Sequence, residues 1–405
     1  MRVAICVLVF FCTLDTASAQ EALTEAAAVA RLSPNSPHVR ALQATVALAE
    51  AEVAAAARLP NPRVTFSREA VSGVAERYGL VGLPLPVTGR RGLEVDAARA
   101  RARASSFEVS DLRRRAEADV RRTWVDLREG ETRELEIAGT VQALRGLAEI
   151  LRRREREGDV AGFDRLRIER EVLDVEANLA DATAARIAAQ AALALFFPAG
   201  TDPLTLRTAT VPGPERDLPP GDALLARALE SRGVLRSLQQ QAEAARLDAD
   251  AAARRLWPEP EIVAGVKTSG AGAGTPGSVL SVAATLPLFD RLTPERDRAR
   301  ARGEMARAEF DRVRTKVEVD VLSLRAIVAA RRSAADGYRQ QALSRSLELQ
   351  RIARVSYDNG ERSVMELLDT YRTALDARVR LAELDAAVRG AEIELEFASA
   401  WETLR

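Results

Sequence analysis

Two periodicities divide the chain. Leu112, Ala116, Val120, Trp124 and Leu127, and later Val141, Leu144, Ala148 and Leu151, recur at spacings of three and four. That spacing predicts one helix with a buried seam, starting near Arg91 and running for roughly 65 residues, on the order of 95 Å. Ahead of it the period is two. Val64 and Phe66 alternate with Thr65 and Ser67, and Val81, Leu83 and Leu85 share a face. A hairpin is predicted, with strands over 63–71 and 78–87, close to the 9 to 11 residues or so of a tilted membrane strand.

The order then repeats. A short helix over Glu21–Arg31 and an Ala-rich helix over His38–Leu59, ended by Pro60 and Pro62, precede the hairpin. A return helix over Asp164–Leu195 follows the long one. In the second half the pattern predicts a helix over Val234–Leu256 and strands over 261–268 and 278–288. Leu280, Val282, Ala284 and Leu286 lie on one face of the second of these strands. A long helix over Thr293–Val355 comes next. A return helix over Ser363–Thr403 closes the half, with Leu384, Val388, Ala391 and Leu395 as its seam.

Fixed markers support a duplication. Gly158 stands 202 residues before Gly360, Asp164 before Glu366, and Leu173-Asp174 before Leu375-Asp376. Pro60-Asn61-Pro62 answers Pro258-Glu259-Pro260, and Leu83-Pro84-Leu85 answers Leu286-Pro287-Leu288. Small drifts in offset are what loop insertions leave in a duplicated unit. The expected repeats are 20–197, with a helical hairpin over 91–195, and 222–405, with one over 293–403. Between them 198–221, with its prolines and little periodicity, is a connector.

Composition narrows the function. Apolar residues make up 47% of the chain but aromatics only 4%, as in long helices. The net charge is zero, which gives a nucleic-acid partner no support. Arg2, the apolar run Val3–Phe11 and Ala17-Ser18-Ala19 read as a cleaved secretory signal over 1–19. Both cysteines, Cys6 and Cys12, fall inside it, so no disulfide or thiol site is expected. Phe10-Phe11 before Cys12 is too bulky for a lipoprotein site, so no lipid anchor is expected. The longest later apolar run, Ala191–Phe197, is far short of the roughly 20 residues that span a bilayer as a helix, so strands would have to make any crossing.

Candidate chemistry is sparse. Gly272-Ala-Gly274-Thr-Pro-Gly277 fits a phosphate-loop pattern, but a strand follows it where a phosphate site needs a helix N-terminus, so it reads as a hairpin loop. His38 is the only histidine, and Met305 and Met365 are the only later methionines. No enzyme activity, cofactor or metal site is therefore expected. Glu366 and Asp369, three apart on a helix beside a hairpin turn, share a face and would form stacked acidic rings if several copies surrounded an axis. Ser363-Val-Met-Glu366 is equally a capping box, and the two readings weigh the same on physical grounds.

The signal, the duplicated strand and helix units, the Leu-Pro-Leu tripeptides and the Tyr357-x-x-Gly360-x-Arg362 turn before Leu367-Leu368-Asp369 resemble the TolC-type outer-membrane efflux channel family. Within it, the proline spacing and compact length look most like the CzcC-type metal-efflux branch. The resemblance implies a mainly α protein with a membrane β-barrel: a homotrimer with a 12-stranded outer-membrane barrel, continued by a long α-helical periplasmic barrel. It also implies a Gram-negative outer membrane, contact with lipid, a periplasmic adaptor and an inner-membrane pump of the RND type. By position, Glu366 and Asp369 match the family's acidic aperture rings, and Tyr357, Arg362 and Asp164 its gate latch. Gly158 and Gly360 match the tips that receive the adaptor. Gly162-Phe163 after Val160-Ala161 departs from the family's first tip, and Glu366 stands where aspartate is usual.

Two other classes remain open to the residues alone. A secreted structural coiled coil predicts that the four strand segments are linkers. A periplasmic adaptor predicts a single helical hairpin.

Overall fold

The computed structural model describes residues 22–71, 73–158, 162–209, 217–270, 276–286 and 293–401. The expected signal with its cysteines, most of the glycine loop before Gly277, part of the connector, Val160-Ala161 and Pro287-Leu288 lie outside the described residues.

In chain order the elements are α1 (Glu25–Ala30), α2 (Pro37–Ala56), β1 (Arg63–Val71), β2 (Val74–Pro84), α3 (Arg90–Glu157) and α4 (Gly162–Ala194). After them come α5 (Gly221–Ser231), α6 (Gly233–Arg254), β3 (Pro260–Ser269), β4 (Pro276–Ala284), α7 (Thr293–Gly337), α8 (Ser344–Asp358) and α9 (Val364–Ser399). Each half therefore carries two strands and a long helical hairpin, which neither a linker-joined coiled coil nor a single-hairpin adaptor has.

The chain packs as two compact units, each assembled from both halves. One comprises the described parts of 1–31, 120–215 and 338–386; the other comprises 32–119, 216–337 and 387–405. The first has a continuous apolar core. Leu144, Leu147 and Leu151 of α3 meet Ile168, Val172 and Val175 of α4, Tyr357 of α8, and Val364, Leu367 and Leu368 of α9. Its connector segment is pinned. Leu23 and Thr208 form a parallel bridge, the Trp124 indole donates to the Leu23 carbonyl at 2.8 Å, and Gln190 donates to the Leu206 carbonyl at 2.7 Å.

In the second unit all four strands form one antiparallel sheet in the order β1-β2-β3-β4. Alanines let its helices approach closely, with Ala97 and Ala100 of α3 against Ala244 and Leu247 of α6. Val317, Val321 and Val328 of α7 pack with Leu224 of α5 and Ala391 and Leu395 of α9. Arg232 and Asp111 form an ion pair at 3.0 Å that is largely shielded from water, and Arg232 and Arg115 both lie over the Phe397 ring.

The structure departs from the sequence-based expectations at five points. β2 begins at Val74 and ends at Pro84, earlier than 78–87, because Val71 pairs directly with Val74, preceded by Gly73 at φ +84°. β4 likewise starts and stops earlier than 278–288. The helix expected over Thr293–Val355 contains a π-helical segment at Tyr338–Leu343, and α5 precedes α6 as a helix that the periodicity missed. Leu112, placed on the seam of α3, is exposed.

Candidate channel wall and hairpin tips

The sheet is built to separate two environments. Register puts Val64, Val81, Ala264 and Leu280 in one row, Phe66, Gly79 and Val266 in the next, and Leu83, Ile262 and Val282 in a third. Side chains alternate faces along a strand, so these rows share one face, apolar over this stretch, with Ser278 beside Val266 and with Arg68 and Arg77 following towards the β1–β2 turn. The opposite face carries Thr65, Ser67, Glu76, Tyr78, Glu261, Lys267 and Ser281, with Leu80, Val263 and Val279 among them. Helices of this chain leave the apolar face uncovered. Phe66 is 83% exposed and Leu280 79%. β1 and β4 are edge strands whose outer backbone groups pair with no other described strand. Apolar outside, polar inside and open at both edges describes a segment of barrel wall.

The hairpin ends lie in the other unit. At the first, α3 ends at Gly158, with φ +85°, where a glycine avoids the cost a Cβ would add. Ion pairs zip α3 to α4 below it: Arg165 with Glu155 at 2.5 Å, Arg152 with Glu169 at 2.8 Å, and Arg145 with Glu176 at 2.7 Å. Hydrogen bonds from Arg152 and then Arg165 hold the Glu169 carboxyl below its ordinary range.

At the second tip the C-terminus of α8 forms a Schellman motif. Glu361 N–H donates to the Ser356 carbonyl at 2.8 Å, and Gly360 N–H, at φ +76°, donates to the Tyr357 carbonyl at 3.0 Å. Ser363 then caps α9. Glu366 N–H donates to Ser363 Oγ at 3.3 Å, and Ser363 N–H donates back to Glu366 Oε2 at 3.0 Å. The capping-box reading of Ser363 and Glu366 is therefore realised. Glu366 and Asp369 are nonetheless exposed on one stripe of α9 with Thr373 and Asp376, on the side away from Leu367 and Leu368.

Tyr357 is buried in the core beside α3, with the Arg154 guanidinium 5.6 Å from its ring centre. Burial pushes its hydroxyl above the ordinary value; Arg154 opposes the shift, and Asp164 adds to it. Arg362 pairs with Glu366 at 3.2 Å, both half exposed.

Sequence reasoning missed Arg154, as well as the ion pair between Arg372 of α9 and the buried Glu171 of α4. No pattern in the chain announces which helices become neighbours, so these pairs had no signal. A cleft of about 500 Å³ between α3, α8 and α9 has Arg354, Tyr371 and Arg378 in its lining, but Arg354 already meets Asp358 and Arg378 meets Glu136. Among the described residues no cluster of potential metal ligands occurs, and no helix is long and apolar enough to cross a membrane.

Comparison with known proteins gives one consistent result. The family model described as outer membrane efflux protein matches residues 224–400. The cobalt-zinc-cadmium resistance protein CzcC of Cupriavidus metallidurans is 22% identical over 325 residues, covering 80% of this chain and 77% of that protein. A membrane protein of Pseudomonas aeruginosa has a similar structure, with a TM-score of 0.78 at 18% identity over 92% of this chain and 93% of that one. The CmeC outer membrane channel of Campylobacter jejuni gives 0.80 at 14% identity over 92% and 85%. The fold is that of these outer-membrane channels.

Proposed function

We propose, from the premise that the chain is an outer membrane efflux protein, that three copies form the exit duct of a tripartite pump. The observation that carries the reading is the sheet. Its apolar face is exposed and its two edges are unpaired, a combination that water and lipid both penalise in a single chain. Three copies supply twelve strands, which can close into a barrel with the apolar rows toward lipid and the polar face toward the lumen.

The duplicated halves 20–197 and 222–405, joined by 198–221, then give each protomer two wall hairpins and two helical hairpins. The duct performs no catalysis, and energy comes from an inner-membrane pump of the RND class reached through a periplasmic adaptor. Likeness to CzcC favours metal ions as cargo, with small organic molecules as the alternative. The adaptor docks at the tips around Gly158 and Gly360. Tyr357, Asp164 and Arg362 hold the end shut, and exposed Glu366 and Asp369 line its mouth as acidic rings.

These roles are tested on the reconstituted channel. Glu366→Ala/Asp369→Ala weakens cation selectivity and block by divalent ions, and Arg362→Ser raises resting conductance. Selectivity and block identical to wild type would remove the acidic-mouth assignment, and unchanged resting conductance would remove Arg362 from the latch.

A further inference from the structure

The cleft of about 500 Å³ between α3, α8 and α9 carries charge of one sign. Arg351 and Arg354, three positions apart on one face of α8, reach it from one side, and Arg378 of α9 reaches it from another. Among the described residues that line it there is no carboxylate. The acids that these arginines meet, Glu348, Asp358 and Glu136, all lie outside the lining.

Those acids leave the guanidiniums, each with five N–H donors, incompletely used. Glu348 takes Nε and Nη2 of Arg351. Asp358 takes only Nε of Arg354, at 3.2 Å, and the Tyr371 hydroxyl is the other partner of that arginine. Arg378 stands 3.6 Å from Glu136 and 3.4 Å from the side-chain oxygen of Gln350. A charge-assisted hydrogen bond of full strength is about 2.7 to 2.9 Å long. The Arg145–Glu176 pair, at 2.7 Å, meets that standard, whereas Arg354 and Arg378 do not. Their side chains are only 34% and 33% exposed, so water makes up part of the deficit and no more.

The room in the cleft comes from α3, which contributes only Gly139, Thr140 and Ala143 to it. A Cβ at Gly139 would meet nothing within 4 Å. Ala143, Leu347 and the Tyr371 ring add apolar surface between the charges. A bare inorganic anion would use the charges and leave that surface and most of the volume unfilled. Cavities of this size accommodate small organic ligands.

We infer that the cleft binds a small organic polyanion, a di- or tricarboxylate, with its carboxylates on Arg351, Arg354 and Arg378 and its carbon skeleton against Ala143 and Leu347. α3 belongs to one helical hairpin, and α8 and α9 to the other. The bound anion therefore ties the two hairpins together and favours the arrangement in which the cleft is formed. An effect on conductance rests on the channel reading above; the binding itself does not.

The test is calorimetric titration of citrate into the purified full chain in metal-free buffer, with acetate and inorganic phosphate as comparison anions. Wild type is expected to bind one citrate per chain, and acetate and phosphate at least tenfold more weakly. Arg354→Gln/Arg378→Gln is expected to weaken citrate at least tenfold. Gly139→Leu fills the cleft from a helical position with space for the side chain, so it should keep the wild-type unfolding temperature and lose citrate binding. No binding to wild type, or unchanged affinity in Gly139→Leu, overturns the site. Phosphate binding as tightly as citrate overturns the polycarboxylate class. In a planar bilayer, citrate is expected to lower the conductance of wild type and not that of Gly139→Leu. Protein that binds citrate, conducts and does not respond overturns the tie between hairpins. Protein that binds citrate and never conducts overturns the channel reading and leaves the cleft standing.

Discussion

The hairpin ends and the sheet use the same kinds of residue in opposite ways. At the tips Leu151, Ile168 and Leu367 are fully buried among four helices, and the stripe of Glu366, Asp369 and Asp376 is exposed, with Phe163 and Leu166 the apolar exceptions. In the sheet Phe66, Leu280 and Val282 stand in the open, and Arg63, Glu76, Glu261 and Lys267 sit on the other face, while Arg68 and Arg77 share the face of Phe66 close to the β1–β2 turn. One region is folded for water and the other is turned inside out. The difference identifies the solvent of each region, which neither composition nor net charge could do for the whole chain.

Substitutions can break this contrast. Leu151→Ala opens a cavity in the tip core and should cost about 2 to 5 kcal/mol in chemical unfolding. A change under about 1 kcal/mol would mean that the core is not packed as described. Arginine in the sheet separates the two faces. Leu280→Arg on the apolar rows should destabilise the folded protein in vesicles by roughly 2 to 4 kcal/mol, whereas Ser281→Arg on the polar face should cost far less. Equal costs would deny the assignment of lipid and lumen.

Smaller effects sharpen the account of the tips. Gly360→Ala forces a Cβ into a left-handed conformation and should cost about 1 to 2 kcal/mol, while Gly337→Ala, helical and with open space around it, should be neutral or stabilising. Ser363→Ala removes the α9 cap for about 1 kcal/mol. Glu169 gives the smallest effect. Its folded pKa is depressed by Arg152 and Arg165, so its contribution is complete above the unfolded value of about 4.3 and is lost as pH falls through the lowered one. Glu169→Gln should therefore flatten the acid limb of stability against pH without changing the plateau's shape.

Much of the fold was legible because long elements average out local noise. β1 falls where alternation put it, over 63–71, and α3 and α4 end within two or three residues of their predicted bounds. What failed was decided by partners. Glu76 and Arg77 look like loop residues until register sets them opposite Glu69 and Arg68. The π-helical segment at Tyr338–Leu343 has no glycine or proline within it to mark it. Leu112 keeps the helical period yet lies on a side that no helix of the chain covers, because periodicity defines a stripe but not its neighbour. At the candidate site the capping box could be read from Ser363 and Glu366, whereas the burial of Tyr357 against Arg154 required the fold.

The central claim is that this chain closes a pore in a bilayer, and current across a planar bilayer tests it most directly. Detergent-extracted wild-type protein should insert in discrete, equal conductance steps, each arising from a particle with the mass of three chains. Protein that leaves the membrane fraction without detergent, remains monomeric and gives no steps would contradict the account.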